Sequence, residues 1–187
     1  LEEGLTPKGK TLREIYDLQN TKKVFETLNF SKDLSNGFIR EIHARLLENI
    51  DNRTEYRNRD VTVTKARFKA TPYHQIKQEI DLLLEWYSSN KKKIHSFALA
   101  TIFHHKFEKI HPFFDGNGRT GRMLMNFILM KNNYPPIILQ KKHRSEYLEA
   151  LNEADKAFIS KTRPEDYSEL ISLAAAELNE TYWNNFL

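Results

Sequence analysis

The chain has 187 residues, of which 40 % are hydrophobic, which suffices for one domain with a single apolar core. It contains no cysteine, which excludes disulfides, thiolate metal sites and a cysteine nucleophile, and fits a reducing compartment. Its net charge of +4 is too small to indicate nucleic acid as a partner. No signal peptide or membrane-spanning run is visible, so the sequence predicts a soluble, cytoplasmic protein.

Apolar residues at three- and four-residue spacing predict a mainly α-helical fold. In chain order the predicted helices are Thr11–Thr27, Asn36–Glu48, Tyr73–Ser88, His95–Ile110, Thr120–Asn132, Arg144–Ala157 and Pro164–Trp183. Residues 11–187 are predicted to form one domain, preceded by a short segment over residues 1–10. Because Leu1 is not Met, we expect a fragment or a processed product.

Asp60–Thr71 departs from the helical pattern. Its β-branched residues alternate with period two between Arg59 and Pro72, which predicts a short β-hairpin supported by neighbouring helices. The basic run Lys91–Lys93 is interpreted as a solvated connection between two helices.

Three of the six glycines lie within six residues, in the segment His111-Pro-Phe-Phe-Asp-Gly-Asn-Gly-Arg-Thr-Gly-Arg122. Apolar helical stretches flank this segment, and Pro112 is expected to end the first of them. Gly116 and Gly118 permit positive φ angles, which would turn successive backbone N–H groups into one concavity. Because this turn leads into the N-terminus of a helix, the segment predicts an anion-binding nest.

The side chains of this segment favour the same chemistry. Arg119 and Arg122, three residues apart, share a helix face and can bind the oxygens of one polyphosphate. Asp115 offers a hard oxygen ligand for Mg²⁺, and His111 is suited to take a proton from an attacking hydroxyl. Together they predict a transfer reaction at phosphorus.

Other interpretations stay open at this stage. The glycine dipeptides could form ordinary turns, and His111 could serve only to compensate a helix dipole. His104, Glu108 and His111 could line one helix face as metal ligands. A P-loop does not fit, because Arg122 and Met123 replace the required Lys and Ser/Thr and no strand precedes the loop.

The segment His111–Arg122 resembles the signature of the Fic family (filamentation induced by cAMP), H(P/A)Fx(D/E)GNGRxxR, and matches it at every fixed position. The resemblance extends over about Thr11–Ser160, including the hairpin and the helix that begins at Arg144. It implies a helical Fic fold with a β-hairpin flap. It also implies a protein AMP transferase that moves AMP from Mg-ATP to a Tyr, Thr or Ser hydroxyl of a protein.

The same resemblance assigns roles to individual residues. His111 would be the base, and Asp115 would hold Mg²⁺ on the phosphates of ATP. Nucleotide binding falls to Gly116, Asn117, Gly118, Arg119 and Arg122. Of these, Asn117 would contact the α-phosphate through its side chain and Arg122 would face the γ-phosphate. Phe113 would be an apolar plug for the loop, whereas the wall of the base pocket, for which Tyr147 is a candidate, stays unassigned.

The partners implied are ATP and a target protein that pairs with the hairpin edge at about Val61–Lys69. A purely structural hairpin is the alternative. Self-modification and homo-oligomerisation are left open, and no membrane partner is expected.

Regulation is expected at the N-terminus. Many family members carry an inhibitory helix with the motif (S/T)xxxE(G/N), and Glu3-Gly4 matches its second half, the Ser or Thr falling upstream of Leu1. Residues 1–10 would then be the remnant of this helix, and Glu3 would inhibit transfer by pairing with Arg122. The alternatives are removal of AMP, use of another nucleotide, or an inactive nucleotide-sensing module, against which the intact His111 argues.

Overall fold

A computed structural model describes residues 9–63, 69–160 and 166–186. The helices within these ranges are α1 (Leu12–Glu26), α2 (Asn36–Leu46), α3 (Ile76–Asn90), α4 (Ser96–Ile110), α5 (Asn117–Lys131), α6 (Arg144–Ser160) and α7 (Ser168–Phe186). Short 3₁₀ turns, Tyr73–Gln75 and Lys141–His143, precede α3 and α6. The predicted mainly helical fold is confirmed.

Side-chain caps determine where the first two helices begin. The Thr11 hydroxyl accepts a hydrogen bond from the Glu14 backbone N–H (3.2 Å), and the Glu14 carboxylate accepts one from the Thr11 N–H (2.9 Å). At α2 the Ser35 hydroxyl accepts a hydrogen bond from the Phe38 N–H (3.1 Å). Because a first-turn N–H has no partner within its own helix, these caps favour helix initiation at these positions.

Helices α4 and α5 form the centre of the core. Phe103 and Phe107 of α4, Phe127 of α5 and Phe113 of the connecting loop are at most 1 % exposed. Helix α3 packs on α4, α2 packs on α5, α1 packs on α2, and α7 packs on α4. The loop between α4 and α5 therefore starts from the buried centre of the core.

A buried ion pair fastens α6 to α4. Asp155 of α6 accepts a hydrogen bond from His105 Nε2 (3.1 Å) and lies 3.0 Å from Lys109 Nζ. Burial alone would raise the pKa of Asp155, but these two contacts outweigh it and lower the pKa. Asp155 is thus ionised at neutral pH, and the pair holds α6 against α4.

One sequence prediction, the start of α5, needs correction, and another, the β-hairpin, is not confirmed. Helix α5 begins at Asn117 rather than Thr120, because Gly116 completes the chain reversal alone and the next residue is already helical. The hairpin is not confirmed. No strand occurs in the described ranges, residues 61–63 and 69–71 have no regular structure, and residues 64–68 lie outside the described residues.

Two further expectations can be compared directly with the structure. Lys91–Lys93 form an exposed turn between α3 and α4, as predicted. Among the described residues, no helix has the length and apolar character needed to cross a bilayer.

Candidate active site

The predicted base lies where α4 ends. Ile110 is the last helical residue, and His111 adopts the left-handed conformation with φ 51° and ψ 58°. The residue before a proline disfavours the helical region, and a left-handed residue reverses the chain after a helix. For a residue with a β-carbon this conformation costs about 1–2 kcal/mol. The turn directs the chain from the core into the loop.

The imidazole of His111 is in its neutral form. Its Nδ1 lies 3.3 Å from the carbonyl oxygen of Glu108, which can only accept, so Nδ1 carries the hydrogen and Nε2 is the basic nitrogen. Burial lowers the pKa of His111 below the ordinary value of 6.5, and the charge of Arg57 acts in the same direction. The imidazole is therefore unprotonated at neutral pH.

Gly116 is the residue that forms the turn into α5. Its φ is +78°, and a β-carbon there would lie 2.5 Å from Leu47 Cδ2. Glycine is thus required by both conformation and space. As it offers no side-chain cap, the first-turn N–H groups of α5 remain available to an anion.

Gly118 has a different backbone conformation from the one predicted. Among the described glycines, only Gly9 and Gly116 have positive φ, so the expected positive φ of Gly118 is wrong. Gly118 lies within α5, where a β-carbon would come 3.2 Å from Arg122 Nη1. Its small size lets the Arg122 guanidinium lie against the first turn of the helix.

Phe113 plugs the loop as expected, and Asn117 closes it. The Asn117 side chain accepts a hydrogen bond from the Phe113 N–H (2.9 Å) and donates one to the Phe113 carbonyl (2.8 Å), both buried. The His43 ring stacks on Phe113 at 3.5 Å, and His43 Nε2 donates to the Asp115 carbonyl (2.9 Å). The Asn117 side-chain amide thus hydrogen-bonds within the loop. The family resemblance implied instead that this side chain contacts the α-phosphate.

Alternating charges surround the N-terminus of α5. Asp115 pairs with Arg13 of α1 and lies 3.3 Å from Arg119 of α5. Arg119 also pairs with Asp17 of α1. Burial, with the charges of Arg13 and Arg122, lowers the pKa of Arg119 to about 10, so Arg119 stays protonated at neutral pH. Three arginines against two carboxylates leave a positive surplus at this helix terminus.

A cavity of about 400 Å³ opens beside Gly118 and Arg122. Tyr147 of α6 lines it, and its hydroxyl is hydrogen-bonded to His104 Nε2. The buried carboxylate of Glu108 forms part of the wall, and burial raises the pKa of Glu108 to about 7 although Arg122 opposes the shift. Leu139, Leu148 and Leu151 add apolar surface to the lining, and Gln140, His143 and Glu177 add polar side chains. Tyr147, a candidate that the sequence left unassigned, thus lines the cavity next to the α5 N-terminus.

A second, more apolar cavity of about 510 Å³ lies on the α1 side of the same arginines. Arg119 and Arg122 line one end of it, and Leu18 and Phe25 of α1 line another part. Arg122 therefore stands between two cavities. Glu3, the predicted inhibitory residue, lies outside the described residues.

Two hypotheses about metal binding arose from the sequence, and the structure excludes one of them in the described part of the chain. In the described part of the chain no group of three or more His, Asp or Glu side chains is arranged to hold a metal ion, so His104, Glu108 and His111 do not form a metal site. Asp115 remains the predicted Mg²⁺ ligand. Its partly exposed carboxylate lies beside the α5 N-terminus, and one carboxylate with phosphate oxygens and water is a usual ligand set for Mg²⁺.

Sequence reasoning did not find Arg13, Asp17, His43 or Glu108 as members of this site. Arg13 and Asp17 are four residues apart and so share one face of α1, but only the packing of the helices shows what that face contacts. Glu108 was considered only as a metal ligand. For His43, no local signal distinguishes it from any buried histidine of a core helix.

Relatives and solved structures agree on one family. Residues 33–129 match the Fic/DOC family. The protein adenylyltransferase fic-1 of Caenorhabditis elegans is 32 % identical over 162 residues, covering 83 % of this chain and 32 % of the relative. A probable protein adenylyltransferase of Aquifex aeolicus is 33 % identical, covering 86 % of this chain and 50 % of the relative. The chain thus spans a third to a half of these two relatives.

Two solved structures are similar in fold. A signalling protein with a Fic domain from Bacteroides thetaiotaomicron superposes with a TM-score of 0.83 at 24 % identity, covering 95 % of this chain and 74 % of the other. Fic-1 from C. elegans superposes with a TM-score of 0.80 at 26 % identity, covering 98 % of this chain and 54 % of the other. Together with the sequence match across the α4–α5 loop, these likenesses show that the chain belongs to the Fic/DOC family.

Proposed function

We propose that this chain is a protein adenylyltransferase that transfers AMP from Mg-ATP to a Tyr, Thr or Ser hydroxyl of a target protein. The observation that carries the proposal is the loop itself: a neutral His111 at one end, and the uncapped N-terminus of α5 with Asp115 and Arg119 at the other. The two relatives named as adenylyltransferases support the same reaction class.

In the proposed reaction the target hydroxyl oxygen forms a bond to the α-phosphorus. The bond from that phosphorus to the oxygen bridging to the β-phosphate breaks, and pyrophosphate leaves. His111 Nε2 accepts the hydroxyl proton as the new bond forms. Mg²⁺ held by Asp115 would neutralise charge on the phosphates. The first-turn N–H groups of α5 and the Arg119 guanidinium would stabilise the phosphate oxygens.

The cavity beside Gly118 and Arg122 is proposed to hold the nucleoside. Its volume of about 400 Å³ is within the range of small-molecule sites, and Tyr147 offers an aromatic wall for a base. Its position next to the first turn of α5 would place the phosphates at the helix terminus.

The target is proposed to dock along Val61–Lys69, pairing its main chain with that segment. The Arg57 backbone N–H donates to the Pro112 carbonyl (2.9 Å), so the chain entering this segment is hydrogen-bonded to the loop next to His111. A docked hydroxyl would therefore arrive close to the base. Main-chain pairing demands little of the target sequence.

Autoinhibition is proposed to act through Glu3 and Arg122. The apolar cavity on the α1 side reaches Arg122, which offers a route for a preceding segment to bring a carboxylate to that guanidinium. A carboxylate paired with Arg122 would prevent it from binding a γ-phosphate. We therefore expect Glu3→Gly to increase AMP transfer several-fold, measured as the initial rate of label incorporation. An unchanged rate in the folded variant would contradict this mode of inhibition.

The proposal is tested with ATP labelled separately at the α- and γ-phosphates. The purified chain and its Glu3→Gly, His111→Ala and His74→Ala variants are incubated with Mg²⁺, and label on protein is followed by mass and radioactivity. We expect α-label that disappears in His111→Ala and persists in His74→Ala, the matched control at an exposed histidine. Transfer of γ-label would indicate a kinase. Absence of transfer from every variant would contradict the proposal and favour AMP removal or nucleotide sensing.

A further inference from the structure

Arg57 is a buried arginine that the reaction outlined above does not use. It lies in the segment between α2 and α3, and it is 2 % exposed. A charged group is seldom removed from water to this extent unless its hydrogen bonds are satisfied. Its contacts therefore indicate what it does.

The guanidinium of Arg57 binds the end of helix α4. Nε donates to the His111 carbonyl (2.8 Å), and Nη2 lies 3.5 Å from the Ile110 carbonyl. The last carbonyls of a helix lack partners within it and form the negative end of its dipole. A cation at this position both caps α4 and holds the backbone of His111 in its left-handed conformation.

The same guanidinium binds both ends of the segment proposed to receive the target. Nη1 donates to the Arg59 carbonyl (3.0 Å), and Nη2 donates to the Thr71 carbonyl. Arg59 precedes the segment and Thr71 follows it, 12 residues later in the chain. Asp60 adds a further link, because its carboxylate lies 3.5 Å from Arg57 Nη1 and accepts a hydrogen bond from the Tyr73 N–H (2.8 Å).

We propose that Arg57 is a positioning residue that holds the catalytic His111 turn and both ends of the target-binding segment in one fixed geometry. The inference rests on the proposed AMP transfer. One rigid guanidinium connects the base to the two chain ends between which the target hydroxyl would be presented. Alignment between base and hydroxyl would then depend on Arg57, whereas nucleotide binding at the first turn of α5, which none of these Arg57 contacts involves, would not.

The test compares Arg57→Met, Arg57→Lys and Asp60→Ala with Arg40→Met, a control arginine of α2 that pairs with Glu55 at the surface. Self-transfer of α-label in the Glu3→Gly background reports the reaction. A fluorescent non-hydrolysable ATP analogue with Mg²⁺ reports nucleotide affinity. Side-chain NMR signals report the environments of His111, assigned with His111→Gln, and of His43, which stacks on Phe113 of the same loop.

For Arg57→Met we expect transfer to fall by about ten- to a hundredfold, as small misplacements of reacting groups cause, with nucleotide affinity within about twofold. The His111 signals should shift or broaden, and the His43 signals should not. Arg57→Lys should recover part of the rate, because it keeps a cation at the α4 terminus but loses the planar fork. Asp60→Ala, an exposed position, should lower transfer less, and Arg40→Met should leave it unchanged.

Two results would overturn the inference. One is wild-type transfer with unmoved His111 signals in folded Arg57→Met. The other is a parallel loss of nucleotide affinity, transfer and His43 signals, which would show a general structural role. If Arg57→Met does not fold, Arg57→Lys and Asp60→Ala decide between the same outcomes. If no protein shows transfer, the proposed function fails, whereas the His111 signals still decide whether Arg57 positions that residue.

Discussion

At the scale of single residues, His111 shows how burial keeps an imidazole neutral, as the proposed base requires. The imidazole is partly enclosed at the end of α4, and enclosure disfavours its charged form. The hydrogen bond from Nδ1 to the Glu108 carbonyl selects the tautomer with a basic Nε2. Both effects are in place before any substrate binds.

The pH dependence of transfer should reflect this lowered pKa. Since the base must be neutral, the rate should be constant around pH 7 and fall only as the pH drops through a value below 6.5, the ordinary pKa of histidine. The measurement is the initial rate of AMP transfer between pH 5 and 8 at saturating ATP. A half-maximal rate above pH 7 would contradict a base whose pKa is lowered by burial.

Glu108 shows the opposite effect of burial on an acid. In the described part of the chain its Oε1 is shielded from solvent and has no hydrogen-bond partner, and its pKa rises from 4.5 to about 7. In the unfolded chain the group ionises at lower pH. The folded state therefore loses stability as the pH increases from 4.5 to about 7.

Glu108→Gln removes this ionisation and keeps the shape of the side chain. We expect the variant to gain about 1–3 kcal/mol in unfolding free energy relative to the wild type on going from pH 5 to pH 8. Urea unfolding at the two pH values measures the difference. If the difference in unfolding free energy between variant and wild type were the same at both pH values, Glu108 would be ionised in the folded state over that whole range.

At the scale of elements, the α4–α5 loop owes its shape to groups from two helices, α2 and α5. His43 of α2 stacks on Phe113 and binds the Asp115 carbonyl, and Asn117 of α5 bonds both backbone groups of Phe113. Gly116 fits against Leu47, the residue that ends α2. The loop is therefore held by packing on α2, as well as by its own glycine.

Gly116→Ala should disrupt this arrangement. The new β-carbon would meet Leu47 Cδ2 at 2.5 Å in a left-handed backbone conformation, so we expect a loss of about 2–3 kcal/mol in unfolding free energy and a sharp loss of nucleotide affinity. Gly37→Ala is the matched control. A β-carbon at Gly37 of α2 meets nothing within 4 Å, and alanine should stabilise the helix by up to about 1 kcal/mol. Equal effects of the two substitutions would refute the packing argument.

At the scale of the whole molecule, α1 and α5 meet across the site although they are remote in the chain. Arg13 of α1 pairs with Asp115, and Asp17 of α1 pairs with Arg119, each across 102 residues of sequence. Asp115 and Asp17 thus pair with the guanidinium groups of Arg13 and Arg119. In the proposed reaction, Arg119 would instead bind the polyphosphate. Helix α1 would therefore compete with the nucleotide for Arg119 in that reaction.

Asp17→Asn should remove that competition. Since partly exposed ion pairs contribute about 0–1 kcal/mol, we expect up to about fivefold tighter binding of ATP. Titration with the fluorescent ATP analogue measures the dissociation constant. Glu26→Gln, at a carboxylate of α1 that lies 3.9 Å from Lys22, is the control and should leave affinity unchanged. Weaker binding in Asp17→Asn would mean that Asp17 orients Arg119 for phosphate.

The helices were predicted within a few residues of their observed bounds because apolar periodicity and capping are local properties of the chain. The candidate site could be predicted because His111, Asp115, Arg119 and Arg122 lie within 12 consecutive residues, so their proximity needs no knowledge of the fold. The start of α5 and the backbone of Gly118 were missed, since the sequence does not show how many glycines a chain reversal uses.

The sequence by itself thus determined the helical class and the family, and it predicted the candidate reacting segment His111–Arg122. Only the tertiary structure decided which remote side chains join that segment, namely Arg13, Asp17, His43 and Arg57, through contacts that span 54 to 102 residues. The physical reason is the range of the forces that fold the chain. Helix propensity, capping and turn chemistry act between near neighbours, whereas burial, ion pairing and pKa shifts arise only when packing removes distant residues from water and places them together.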